Sequence, residues 1–157
     1  MTQIASCLIV DDDASWRKLL AIYVDQISPG VTIRVCASLE EGLEQLQRAS
    51  WTVLLLDLGL PRMSVRPPQA LERVIEAHPE QPIVVVSGST DVDDTGIHID
   101  LLRYGAVDAI SKCSVSREHL AQAIRLALQR AARKSGVAYR AVDTLEAAIK
   151  DYEGDNS

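Results

Sequence analysis

The sequence predicts an α/β fold: a parallel sheet of five strands, in the order 2-1-3-4-5, with helices on both faces. Three observations carry this expectation. Short apolar, β-branched runs alternate with amphipathic stretches of helical period along most of the chain. The runs read as continuously apolar rather than alternating, as strands buried on both faces must be. Acids, a hydroxyl and a lysine follow the runs at once, at the carboxyl ends where open α/β sheets place their ligands.

Each element has its own justification. Ile4 to Val10 is a first buried strand, ending in Asp11-Asp12-Asp13. Asp13 can cap a helix with the stripe Trp16, Leu19, Leu20, Tyr23 and Ile27, which Ser28-Pro29-Gly30 terminates. Val31 to Ala37 is rich in β-branched residues and alternates, a second strand. Ser38 and Glu41 form a capping box for a helix with Leu39, Leu43 and Leu46 on its apolar face. Thr52 to Leu56 is the third strand, with Asp57 directly after it and Pro61 barring regular continuation.

Pro67-Pro68 suit the first turn of a helix running to about His78, with Leu71, Val74 and Ile75 inward. Pro82 opens a fourth strand, Ile83 to Val86, followed by Ser87-Gly88-Ser89-Thr90. Thr90 and Asp93 suggest a second capping box before a helix with Ile97, Leu101 and Leu102, closed by Gly105. Val107 to Ile110 is a fifth strand with Lys112 just beyond it. Ser116 to Lys134 is a helix with the stripe Leu120, Ile124, Ala127, Leu128 and Ala131. Val137 to Tyr152 reads as one more helix, with Val142, Leu145, Ile149 and Tyr152 in a short seam. Packing of that seam on the same domain is preferred to homodimerisation, because about two heptads fall short of a persuasive coiled coil. Residues 1–134 are therefore expected to form one domain, and 135–157 a helical extension with a short acidic tail.

Composition narrows the function classes. Apolar residues are 47% and charged residues 24%, a globular balance. A net charge of −6 argues against direct nucleic-acid binding. No apolar run approaches the ~18 residues of a membrane span. Cys7, Cys36 and Cys113 are widely spaced, which fits reduced thiols in a cytoplasmic protein rather than a disulfide frame or zinc site. His78, His98 and His119 have no partner histidine at metal spacing and read as surface residues; Trp16 and Trp51 read as packing residues. Arg125, Arg130, Arg133 and Lys134 suit the carboxyl end of a helix.

Taken alone, Asp57 is equally a polar strand terminus and a functional acid. In the 2-1-3-4-5 order, however, Asp11, Asp12, Asp57, Ser87 and Lys112 converge on one crevice, which favours function. Three carboxylates suit a hard divalent cation such as Mg²⁺, and one of them can attack phosphorus to give an aspartyl phosphate. A lysine ammonium and a serine hydroxyl then serve the phosphoryl oxygens. Transfer to an ionised carboxylate requires no histidine base.

Leu8-Ile9-Val10-Asp11-Asp12-Asp13 with Arg17, Leu55-Leu56-Asp57-Leu58-Gly59-Leu60-Pro61, Val84-Val85-Val86-Ser87-Gly88 and Gly105 to Lys112 together resemble the flavodoxin-like receiver domain of two-component response regulators. The resemblance covers about Ile4 to Lys134. It implies that Asp57 is the phosphoacceptor and that Asp12 and Asp57 ligate Mg²⁺ with the carbonyl of Gly59. Asp11 completes the acidic pocket, and Ser87 and Lys112 hold the phosphoryl group. It also implies a histidine kinase or phosphotransfer protein as donor. Such a domain catalyses its own phosphorylation and dephosphorylation but is no conventional enzyme.

Four features depart from the family's pattern. Cys113 replaces the usual proline after the lysine, so a trans Lys112–Cys113 bond is expected. Ala109 replaces the switch aromatic, leaving Tyr104 as the nearest substitute. The loop Arg62 to Arg66 lacks the common Asp-Gly pair, and Thr90 to Gly96 is long and acidic. Small residues at Gly59 and Ser89 leave room for an attacking water. The expected role is a single-domain signalling switch whose output is contact with an unidentified protein target. The alternatives are a phosphorylation-independent adaptor, suggested by Ala109 and the altered loops, and a haloacid-dehalogenase-type phosphohydrolase. Gly59, where the latter needs an aspartate, ranks it last.

Overall fold

The computed structural model describes residues 4–58, 69–88 and 95–135. Strands β1 (Ser6–Val10), β2 (Thr32–Cys36), β3 (Val53–Leu56), β4 (Ile83–Ser87) and β5 (Asp108–Ser111) alternate with helices α1 (Ala14–Ile27), α2 (Leu39–Arg48), α3 (Gln69–Ala77), α4 (Thr95–Tyr104) and α5 (Arg117–Ser135). All neighbouring strands pair in parallel, in the order β2-β1-β3-β4-β5. The flavodoxin-like topology expected from the sequence is thus the one observed. The second capping box at Thr90, the loop after Pro61 and the 137–152 seam lie outside the described residues.

Side chains of the central strands divide between two cores. Leu8, Val10, Leu54, Leu56, Ile83, Val85 and Ala109 pack with Leu46, Leu71, Val74 and Leu101 of α2, α3 and α4. Cys7, Ile9, Val53, Leu55, Val84, Val86 and Ile110 pack with Leu20 and Val24 of α1 and with Leu120, Ala123, Ile124 and Ala127 of α5. The period-2 geometry of a strand makes this division unavoidable once both faces are covered.

The register is pinned at both ends. At the amino end, Ser6 N–H donates to Thr52 Oγ1 (3.2 Å) and Thr52 N–H donates to Ser6 Oγ (3.1 Å). At the carboxyl end, Asp11 N–H donates to Cys36 O, Asp57 N–H to Val10 O and Lys112 N–H to Ser87 O, all at 2.9–3.1 Å. These last three bonds set the loop-borne site residues side by side.

The helix signals hold with two refinements. Asp13 caps α1, its Oδ1 accepting from Ser15 and Trp16 N–H. Ser38 Oγ accepts from Glu41 N–H, but Glu41 Oε2 reaches Ala37 N–H rather than that of Ser38 itself, so the box closes one residue earlier. On α1 the innermost residues are Leu20 and Val24, the latter outside the stripe read from sequence. Gly42 of α2 lies so close to β1 that a Cβ there would sit 2.6 Å from Val10 Cγ2. Gly105, ending α4 at φ +122°, adopts the backbone conformation that favours glycine.

Candidate functional site

Asp11, Asp57, Ser87 and Lys112 stand at the carboxyl ends of β1, β3, β4 and β5 because their strands end in register. The structure brings these four elements and Asp12 to one end of the sheet; Gly59 lies outside the described residues. Asp11 is 1% exposed and held at three points. Its N–H is bonded to β2, its Oδ1 accepts from Asp13 N–H at 2.9 Å, and its carbonyl accepts from Arg17 Nη1 at 2.8 Å. Arg17 is therefore a brace for the acidic loop. Ser87 is buried at the last position of β4.

Lys112 links the carboxylates. Its Nζ lies 2.7 Å from Asp11 Oδ2 and 3.5 Å from Asp57 Oδ2, and its side chain is 10% exposed. Such a pair is held by geometry as much as by charge, since its burial carries a desolvation cost. The Lys112–Cys113 peptide is trans, as expected, and Cys113 N–H donates to Ser111 Oγ at 3.2 Å.

Sequence reasoning missed one residue here. Trp16, read as packing alone, also presents its ring to Lys112, with Nζ 5.1 Å from the ring centroid. The available signal was its place in the first turn of a helix capped by Asp13, directly beside the acidic run. His98, read as a surface residue, has Nε2 3.7 Å from Asp108 Oδ1 between α4 and β5, away from the acidic cluster. Tyr104 is exposed, whereas Ala109 is buried in the core that contains Leu101 and Ala106.

The donor set fits a divalent cation. Asp11, Asp12 and Asp57 can each offer a carboxylate oxygen, all within 4.8 Å of one another. Asp11 Oδ2 is buried and makes no hydrogen bond of good geometry; its short polar contact is the Lys112 ammonium. An all-oxygen, anionic set suits Mg²⁺, which takes one or two carboxylates and keeps its waters. Among the described residues no histidine or cysteine joins this cluster, and no helix is long and apolar enough to cross a membrane.

With this geometry in place, the comparisons with known proteins are consistent. The response regulator receiver domain model matches residues 7–125. Protein-glutamate methylesterase/protein-glutamine glutaminase 4 of Geobacter metallireducens is 36% identical over 106 residues, 67% of this chain and 29% of that protein. Its namesake from Pyrococcus horikoshii is 33% identical over 112 residues, 69% of this chain and 28% of that protein. The chain thus spans less than a third of the length of these curated relatives.

Among solved structures, a receiver domain protein from Clostridium thermocellum superimposes with a TM-score of 0.65 at 22% identity, covering 81% of this chain and 96% of that one. A CheY-like receiver from Methanospirillum hungatei gives 0.66 at 23% identity, covering 84% and 99%. At such identities the likeness is one of fold. The family match extends over most of the chain and over every strand that carries a site residue, and on that ground the chain belongs to the response regulator receiver domain family.

Proposed function

We propose that this protein is a phosphorylation-controlled switch of a two-component or phosphorelay system, accepting a phosphoryl group on Asp57. The observation that carries the reading is the convergence of three carboxylates with one ammonium, Lys112 Nζ standing 2.7 Å from Asp11 and 3.5 Å from Asp57. The donor is the phosphohistidine of a kinase or phosphotransfer protein, the partner class that receiver domains imply. We take residues 1–134 as the domain and 135–157 as a helical extension, for which packing on the same domain is preferred to homodimerisation.

In the transfer, a carboxylate oxygen of Asp57 attacks phosphorus. The new O–P bond forms as the donor's N–P bond breaks, and the bonding pair leaves with the imidazole nitrogen. Lys112 offsets negative charge on one phosphoryl oxygen, and the Ser87 hydroxyl donates to another. Asp11, Asp12, Asp57 and the Gly59 carbonyl would hold Mg²⁺, which supplies neutralising charge to the phosphoryl oxygens when bound. In the return step water attacks phosphorus, the Asp57 O–P bond breaks, and inorganic phosphate leaves with the carboxylate restored.

The test is intact mass after incubation with a small phosphodonor, with and without Mg²⁺, for wild type and Asp57→Ala. One phosphoryl adduct on wild type alone, dependent on Mg²⁺, is expected. Equal absence of adduct from both folded proteins would overturn the reading. It would favour the adaptor alternative that Ala109 and the altered loops motivate.

A further inference from the structure

We infer that Trp16 is a positioning residue for Lys112, holding the ammonium over Asp57 by the face of its indole ring. This inference rests on the proposed role of Asp57 and deepens it.

The ammonium is fixed from two sides. Asp11 Oδ2 and Asp57 Oδ2 approach it at 2.7 and 3.5 Å, and the Trp16 ring faces it with its centroid at 5.1 Å. A lysine has a flexible four-carbon stem and would otherwise sample many directions. A cation within about 6 Å of an aromatic centroid is attracted by the ring's quadrupole, most strongly by tryptophan. The Lys112 side chain is only 10% exposed, and this burial strengthens the attraction.

The ring itself is well anchored. The Trp16 backbone N–H donates to the Asp13 cap at 3.2 Å, which fixes its place in the first turn, and the side chain packs against the core formed with α5 and the inner strands. Its neighbour Arg17 bonds the Asp11 carbonyl at 2.8 Å. One turn of α1 therefore fixes both the ring above Lys112 and the carboxylate beside it. Trp16 is not itself placed to touch the phosphoryl group; it acts through Lys112. Its ring makes none of the carboxylate contacts a cation would use, so its removal should slow phosphoryl transfer more than it weakens Mg²⁺ binding.

Two measurements on the full chain test the inference. The first needs no variant: in the wild-type NMR spectrum, the methylene protons of Lys112 next to Nζ should be shifted upfield by the ring current. An unshifted Lys112 would overturn the inference whether or not Asp57 accepts phosphate. The second compares wild type, Trp16→Phe and Trp16→Leu, checked for equal folding by thermal melting. The readouts are the rate constant of adduct formation at saturating phosphodonor and the Mg²⁺ concentration at half effect.

Trp16→Phe should keep the rate within about threefold, and Trp16→Leu should lose about 3- to 10-fold, with half-effect Mg²⁺ unchanged within about twofold. Equal rates in wild type and Trp16→Leu would overturn the inference. So would equal losses in Phe and Leu variants, which would reduce Trp16 to a packing residue. Failure of wild type itself to take up a phosphoryl group, with the ring-current shift present, would sink the acceptor reading of Asp57 instead.

Discussion

The two faces of the sheet bury similar sets of aliphatic side chains, yet they relate differently to the acidic crevice. On one face α1 and α5, of 14 and 19 residues, cover Cys7, Ile9, Leu55, Val86 and Ile110. The same α1 supplies the Asp13 cap, the Trp16 ring and the Arg17 brace. On the other face the strands are covered by α2, α3 and α4. They meet the strands near the site through Gly42 against Val10 and through the surroundings of Ala109. Of the departures from the family's pattern, Ala109 lies on this second face, in the core with Leu101. One face thus combines packing with positioning of charge, while the other contributes packing.

The largest effects should come from opening a cavity on each face in turn. Ile124 and Leu71 are both fully buried, on α5 and α3 respectively. Ile124→Ala and Leu71→Ala should each cost about 2–5 kcal/mol in urea unfolding. Their effects on the site should differ. Relaxation around Ile124 reaches the core on which Trp16 rests, so the Lys112 ring-current shift should change in Ile124→Ala and stay as wild type in Leu71→Ala. Equal changes in both would break the distinction between the faces.

A smaller effect belongs to the tightest glycine contact among the described residues, on the second face. In Gly42→Ala, a Cβ 2.6 Å from Val10 Cγ2 would force α2 and β1 apart, with an expected loss of about 1–3 kcal/mol. Because the clashing atom is Val10 Cγ2, Val10→Ala in the same chain should recover part of that loss. A Gly42→Ala protein as stable as wild type would show that α2 is free to move outward, and the contact would lose its importance.

These residues also mark how far the sequence is legible. The five-fold alternation and the polar groups at the strand ends follow from a one-dimensional pattern. The order 2-1-3-4-5, and with it the convergence of Asp11, Asp12, Asp57, Ser87 and Lys112, is expected instead from the fold type that this pattern suits. Element ends are legible to within about two residues, because caps such as Asp13 and Ser38 are local chemistry. Gly42 is not legible: it sits mid-helix, and its reason is a neighbour on another strand. Trp16 satisfied the helical stripe, which concealed its second contact with a lysine 96 positions later in the chain. Val24 escaped the stripe because the five residues Trp16, Leu19, Leu20, Tyr23 and Ile27 already gave an acceptable helical face. In each case the missing information is a tertiary contact.

The finest distinction between the faces is in their thiols. Cys7 lies on the α1–α5 side and Cys36 on the α2 side, while Cys113 is exposed. Burial pushes the Cys7 thiol from an ordinary 9.0 up to about 12; burial first, and then Glu41, raise that of Cys36. A pKa raised on folding means that the native state keeps its proton longer. The corresponding stability is full below pH 9.0 and is lost as pH climbs from there through about 12. By pH 10 wild type should therefore have lost about 1.4 kcal/mol more than Cys7→Ala, each relative to its own value at pH 8. The check is urea unfolding at the two pH values, since lysines and tyrosines titrate alike in both proteins. In native protein at pH 8 a thiol reagent should modify Cys113 at once and Cys7 last, because only an accessible thiolate reacts. A Cys7 that reacts as fast as Cys113 would mean that the α1–α5 face opens readily, and the more tightly packed face would then be the other one.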